Sequence, residues 1–271
     1  MKKIDMHHHL IEEKNYADAL LRTMDRLSIE TCALMGIGPL FRKLFVKGVH
    51  DTSQYADNDA VEAVCRKHPD RFIGWGFIRL GDEGIGVATV TELHNRGFKG
   101  IKFHVPKTRY DDEVNFPVYA RIRDLGMPAL FHTGVVRLPQ PAPGERVSSF
   151  NMDCIHLEAI AQEIPDFKII IAHLGIQNYL TALTLIRIFP NIYADLSSST
   201  PGWRANISMS QWKRLLWFPS AHEKIMFGSD VHESEVETSI GSYDGIAAAA
   251  GWGDAEQQNL YYNNARKLLG L

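Results

Sequence analysis

Eight short apolar runs rich in β-branched residues recur along this chain, and a stretch of helical period follows each of them. No other feature constrains the fold as much, because strands without a polar face must be covered on both sides. Strands are expected at 3–8, 31–37, 71–78, 100–104, 128–132, 167–173, 192–196 and 225–228. Helical period covers 16–27, 57–67, 87–95, 118–125, 153–163, 179–188, 210–218 and 236–250, with a last helix at 255–269. Gly97 and Pro190 supply two of the stops.

Eight strand–helix units fill the 271 residues as one closed barrel domain, 1–271, without an internal repeat or a low-complexity tract. The competing α/β architecture, an open doubly wound sheet, carries a glycine fingerprint after its first strand. Here the first strand ends in His7-His8-His9 instead, and the GDEGIG segment at 81–86 has the wrong spacing and reads as a turn. The expected class is therefore α/β, a (β/α)₈ TIM barrel with its site at the C-terminal ends of the strands. Two connections exceed ordinary loop length, 38–54 after strand two and the proline-rich 134–151 after strand five. Both leave the face where barrel active sites are built, so both are expected to flank the site.

Composition narrows the class of partner. A net charge of −3 with no dense basic block argues against nucleic acid or an anionic membrane surface. No apolar run reaches the roughly 20 residues of a membrane span, and Asp5 with the histidines interrupts any leader-like core. The three scattered cysteines, Cys32, Cys65 and Cys154, form no CxxC pair, which suits a reducing cytoplasmic setting. A small-molecule substrate is the expected partner, with a homo-oligomer left open.

The twelve histidines are informative by position. Side chains alternate across a strand, so His7 and His9 share one face and can reach one metal ion. A trimmed purification tag is the bland alternative, but tags carry more histidines and do not open a strand. The same placement recurs: strand four ends in Lys102-Phe103-His104, strand five in Phe131-His132, strand six in Ala172-His173, and strand eight in Gly228-Ser229-Asp230. Any one of these could be a satisfied core histidine. Five strand ends of this kind around one barrel mouth point to a site.

In this order, IDMHHHL, FHTG, IIAHLG, FGSD and the terminal NNARKLLGL resemble the amidohydrolase superfamily. The nearest resemblance is to its amidohydrolase-2 branch of metal-dependent hydrolases and aminocarboxymuconate-semialdehyde-decarboxylase-like enzymes. The resemblance implies one divalent metal held by His7, His9, His132 and Asp230, with His173 and Asp230 catalytic. Imidazoles with one carboxylate suit zinc first, ahead of iron, manganese or nickel. Asp230 is then placed to move a proton, and His173 to polarise a carbonyl or steady an oxyanion. Some branches carry a carboxylated lysine at the end of strand four, which leaves Lys102 a route to a two-metal site. His104, Lys102, Arg137 and Trp203 are the candidate substrate contacts, Arg137 because its planar fork can clamp a carboxylate, with Arg204 beside Trp203. Asp5 is expected on the inward face with His7, either orienting a ligand or taken up by backbone amides. Trp252, Tyr261 and Tyr262 are expected to pack helices, and Asn264 to act at most as a cap.

The expected activity is metal-dependent hydrolysis of an amide, ester or lactone-like bond in a small molecule. Non-oxidative decarboxylation of an unsaturated or aromatic carboxylic acid is the second reading, and a non-catalytic metal-containing barrel the third.

Overall fold

The computed structural model describes residues 1–37, 55–136, 148–199 and 202–271. Eight parallel strands lie side by side in chain order. They are β1 (Lys3–His9), β2 (Ile29–Met35), β3 (Phe72–Ile78), β4 (Gly100–Phe103), β5 (Ala129–Phe131), β6 (Ile169–Ile171), β7 (Ile192–Asp195) and β8 (Ile225–Met226). Met6 N donates to Phe227 O at 3.0 Å and Asp230 N to His7 O at 2.7 Å, which brings the last strand back against the first. The expected TIM barrel is the observed architecture.

Among the described residues the helices that follow the strands are α1 (Tyr16–Leu27), α2 (Asn58–Lys67), α3 (Val87–Asn95), α4 (Phe116–Asp124), α5 (Leu157–Glu163), α6 (Tyr179–Ile188), α7 (Met209–Leu215) and α8 (Val236–Ala250). The expected last helix is interrupted. α9 (Asp254–Gln258) passes through a π turn at Asn259–Asn263 into α10 (Asn264–Leu269). Asn264 does more than cap it: Nδ2 donates to His222 O at 2.7 Å and Ile225 O at 2.9 Å, tying α10 to β8.

Alternate strand residues divide between two apolar layers. Ala33, Met35, Trp75, Leu130, Ile170 and Met226 fill the barrel interior, and Leu268 of α10 packs with them. Their neighbours Leu34, Ile101, Phe103, Phe131, Ile169 and Ile171 belong to the helix-facing core. Burial on both faces is why the strands read as unbroken apolar runs.

The strands end early where the site begins. β6 was expected to reach residue 173 but stops at Ile171, because His173 and Leu174 take φ values of 59° and 45°. Asp230 after β8 has φ 47° and Val105 after β4 has φ 40°. Left-handed backbone at non-glycine residues costs about 1–3 kcal/mol each and collects at functional sites. Here it turns side chains at the ends of the wall.

Alternation fails in β1. The β1–β2 register shifts between Asp5 and His8, so Asp5 does not share the face of His7. Instead Asp5 lies with His8 and Cys32, their donor atoms within 4.8 Å of one another. Its Oδ1 accepts from His7 N at 3.1 Å and Ser229 N at 2.9 Å. Of the two expected roles, the backbone-amide one is the one seen.

Candidate active site

Three of the side chains singled out by the sequence converge at the barrel mouth. Donor atoms of His7, His9 and Asp230 lie within 4.8 Å of one another. Asp230 Oδ1 is 3.6 Å from His7 Nε2 and 3.5 Å from His9 Nε2. Donors on a tetrahedral ion with bonds near 2.0–2.1 Å sit about 3.3 Å apart, so Asp230 stands close to the distance from each imidazole that such a shell requires. His132 stands beside it, stacked on His104 with ring centroids 3.8 Å apart.

Hydrogen bonds set which nitrogen carries the proton in His7, His173 and His132. His7 Nδ1 lies 2.9 Å from Asp195 Oδ2. A carboxylate only accepts, so His7 is protonated at Nδ1 and presents a bare lone pair at Nε2. His173 Nδ1 lies 3.1 Å from the carbonyl of Ser197, again an acceptor. His173 Nε2 therefore has a lone pair, which takes the proton of His132 Nδ1 at 3.1 Å. That leaves His132 Nε2 as a second bare lone pair, buried and without a hydrogen-bond partner. Neutral rings are what burial dictates. It pushes His7, His9, His104 and His132 well below the ordinary imidazole range, and the charge of Lys102 adds to this. Burial takes His173 down to about 4 against the opposing pull of Asp195. The donor set, neutral nitrogens with one carboxylate, fits a divalent metal.

Asp230 is the member that meets solvent, its side chain 22% exposed. Burial raises its carboxyl above the usual range, Lys102 works the other way, and Asp195 adds to the rise. Lys102 itself is fully buried and places Nζ 2.9 Å from His7 Nε2.

A cavity of about 390 Å³ opens above these groups, lined by His9, His104, His132, His173, Asp230, Tyr55 and Trp203. Trp203 is where the sequence put it, its Nε1 donating to Ser197 O at 3.2 Å. Arg204 is not: it is buried, donates to Leu196 O at 2.7 Å and lies against Tyr243. Ile37 and Tyr55 at one long loop, and Val135 and Val136 at the other, line the cavity. Those described stems flank the site as expected. Arg137 and the interiors of both loops lie outside the described residues.

Sequence reading missed Asp195 and Ser197. Asp195 Oδ1 accepts from His173 N at 2.7 Å, Ser197 N at 2.9 Å and Ser197 Oγ at 2.5 Å, while Oδ2 holds His7. The signal was present: Asp195 ends an apolar run just as the histidines do. Asp195→Asn is expected to lower metal affinity by roughly 10- to 100-fold, because an amide no longer enforces the His7 tautomer. Competition with a chromophoric chelator measures this, and an unchanged affinity would show that the tautomer is set elsewhere.

Solved structures share this fold over the whole chain. An uncharacterised TIM-barrel protein from Bordetella bronchiseptica matches with a TM-score of 0.71 and 16% identity, covering 100% of this chain and 99% of the other. 2,6-Dihydroxybenzoate decarboxylase from Rhizobium gives 0.70 and 15%, with 100% and 99% covered. A probable 2-pyrone-4,6-dicarboxylic acid hydrolase from Acinetobacter baumannii, with citric acid bound, gives 0.61 and 17%, with 100% of each covered. No curated protein matches the sequence. The Amidohydro_2 model, described as amidohydrolase, matches residues 4–271. A match that begins in the first strand and ends with the last helix takes in every strand end that contributes to this mouth, and the chain belongs to the Amidohydro_2 amidohydrolase family.

Proposed function

We propose that this chain is a metal-dependent hydrolase acting on an amide, ester or lactone-like bond of a small molecule. The supporting observation is the convergence of His7, His9 and Asp230, their donor atoms within 4.8 Å of one another, at a cavity in the barrel mouth that His9 and Asp230 line. His7, His9, His132 and Asp230 would hold the ion, zinc being the choice that suits three imidazoles and a carboxylate. Such an ion supplies Lewis acidity and brings the pKa of water toward about 7.

The residues supply the rest. Asp230, facing the cavity with a raised carboxyl, accepts a proton from the attacking water and returns it to the leaving group. His173 keeps His132 in the tautomer that exposes Nε2. Because both nitrogens of His173 are engaged, polarising a carbonyl would require it to release one partner. Tyr55 and Trp203 on the wall, with Ile37, Val135 and Ile176, suit a small ring-bearing molecule.

Chelator-treated protein reloaded with zinc is expected to take up close to one ion per chain. No uptake would refute the reading, and two ions would place a second at Lys102. A panel of lactones, esters, amides and unsaturated carboxylic acids, followed separately for hydrolysis and carbon dioxide release, tests the reaction. Decarboxylation without hydrolysis would make this a carboxy-lyase, the activity named for the Rhizobium structure of the same fold.

A further inference from the structure

The lone pair of His7 Nε2 has two claimants. The Nδ1 proton is committed to Asp195, so Nε2 offers one acceptor orbital and no more. The spacing of His7, His9 and Asp230 assigns that orbital to a metal. Yet Lys102 Nζ lies 2.9 Å from the same atom, at hydrogen-bond distance. Lysine is a donor three times over and never an acceptor when charged, so the contact uses the lone pair. The placement of Lys102 is not casual. It is wholly buried on β4, where burial pushes its amine down to about 8 while the carboxylates of Asp230 and Asp195 pull the other way, towards the charged form. A buried ammonium survives only with such partners, and these are the groups that a metal at the site would also neutralise.

We propose that Lys102 is an internal cation that competes with the metal, so that His7 Nε2 holds either the lysine or the divalent ion and never both. The inference rests on the metal reading above. It makes Lys102 a positioning residue that weakens metal affinity while keeping the metal-free site neutralised and closed.

The test is a zinc titration of chelator-treated protein against a chromophoric competitor, comparing wild type with Lys102→Met. Methionine keeps the unbranched stem and removes the charge. The variant is expected to bind zinc tighter by on the order of 10- to 100-fold, since a like charge leaves the ion's neighbourhood. Equal or weaker binding in the variant, with wild type still binding, overturns this inference alone; weaker binding is what a lysine that supports the metal would give. Binding by neither protein overturns both this inference and the metal reading. A crystal structure of zinc-loaded wild type serves independently of whether the variant folds. Lys102 Nζ is expected to have left hydrogen-bond distance of His7 Nε2. A lysine still in contact there, or joined to the ion through a carbamate, overturns the proposal.

Discussion

Asp230→Asn is expected to cut turnover by about 10²–10⁴-fold at saturating metal, the loss typical when a positioned general base is removed. Asparagine keeps the size and one oxygen toward His7 and His9 but has no basic site. Metal affinity should fall without vanishing, because the imidazoles remain. His173→Ala provides the contrast. It removes the ring that fixes His132 through a 3.1 Å bond, so it should loosen the metal as well as slow turnover. Comparing the two with metal content measured in the same samples separates lost occupancy from lost chemistry. Near-normal turnover in metal-loaded Asp230→Asn would mean that the proton passes through another group.

Acid is expected to destabilise the metal-free protein steeply. His173 ordinarily titrates near 6.5 and is held down to about 4 in the fold. Above about pH 6.5 it is neutral in both states and contributes nothing to the pH dependence. Between 6.5 and 4 the unfolded chain takes up a proton that the native state refuses, so stability falls as pH falls. Below about 4 the loss levels off. For His173 alone the full loss is about 3 kcal/mol, at 1.36 kcal/mol per pH unit. His7, His9, His104 and His132 are depressed in the same direction. Asp230, whose carboxyl is raised, acts in the opposite sense, one group against five. Urea unfolding of chelator-treated protein at pH 7, 5.5 and 4.5 checks this. A flat stability across that range would show that the imidazoles are charged or solvated in the native state.

Much of the site was legible because a barrel repeats one local rule. A polar residue after an apolar run marks the point where the chain leaves the wall, and parallel strands gather all such points at one end. His9, His104, His132, His173 and Asp230 follow this rule, His7 is read from its alternation with His9, and Lys102 from the family resemblance. Asp195 obeys the same rule, but Leu196 after it extends the apolar run, so the expected strand reaches 196 and Asp195 reads as part of the wall, whereas β7 ends at Asp195. Asp5 was misplaced for a different reason. Period-two alternation predicts its face correctly only in an unbroken register, and the irregularity between Asp5 and His8 cannot be seen in a single strand's letters.

What the amino-acid order determined alone is the sequence of strands and helices, the closed (β/α)₈ architecture, and the list of polar groups at its mouth. These follow from local periodicity and from the need to bury each strand on both faces. Which atom of each group does what was decided only by the tertiary structure. Proton placement on His7 is set by Asp195, 188 residues away, and that on His132 by His173 and the carbonyl of Ser197. Lys102 reaches His7 across 95 residues of sequence. Tautomer, charge and access to a lone pair depend on distances of about 3 Å between side chains from different strands, and such distances exist only once the barrel has closed.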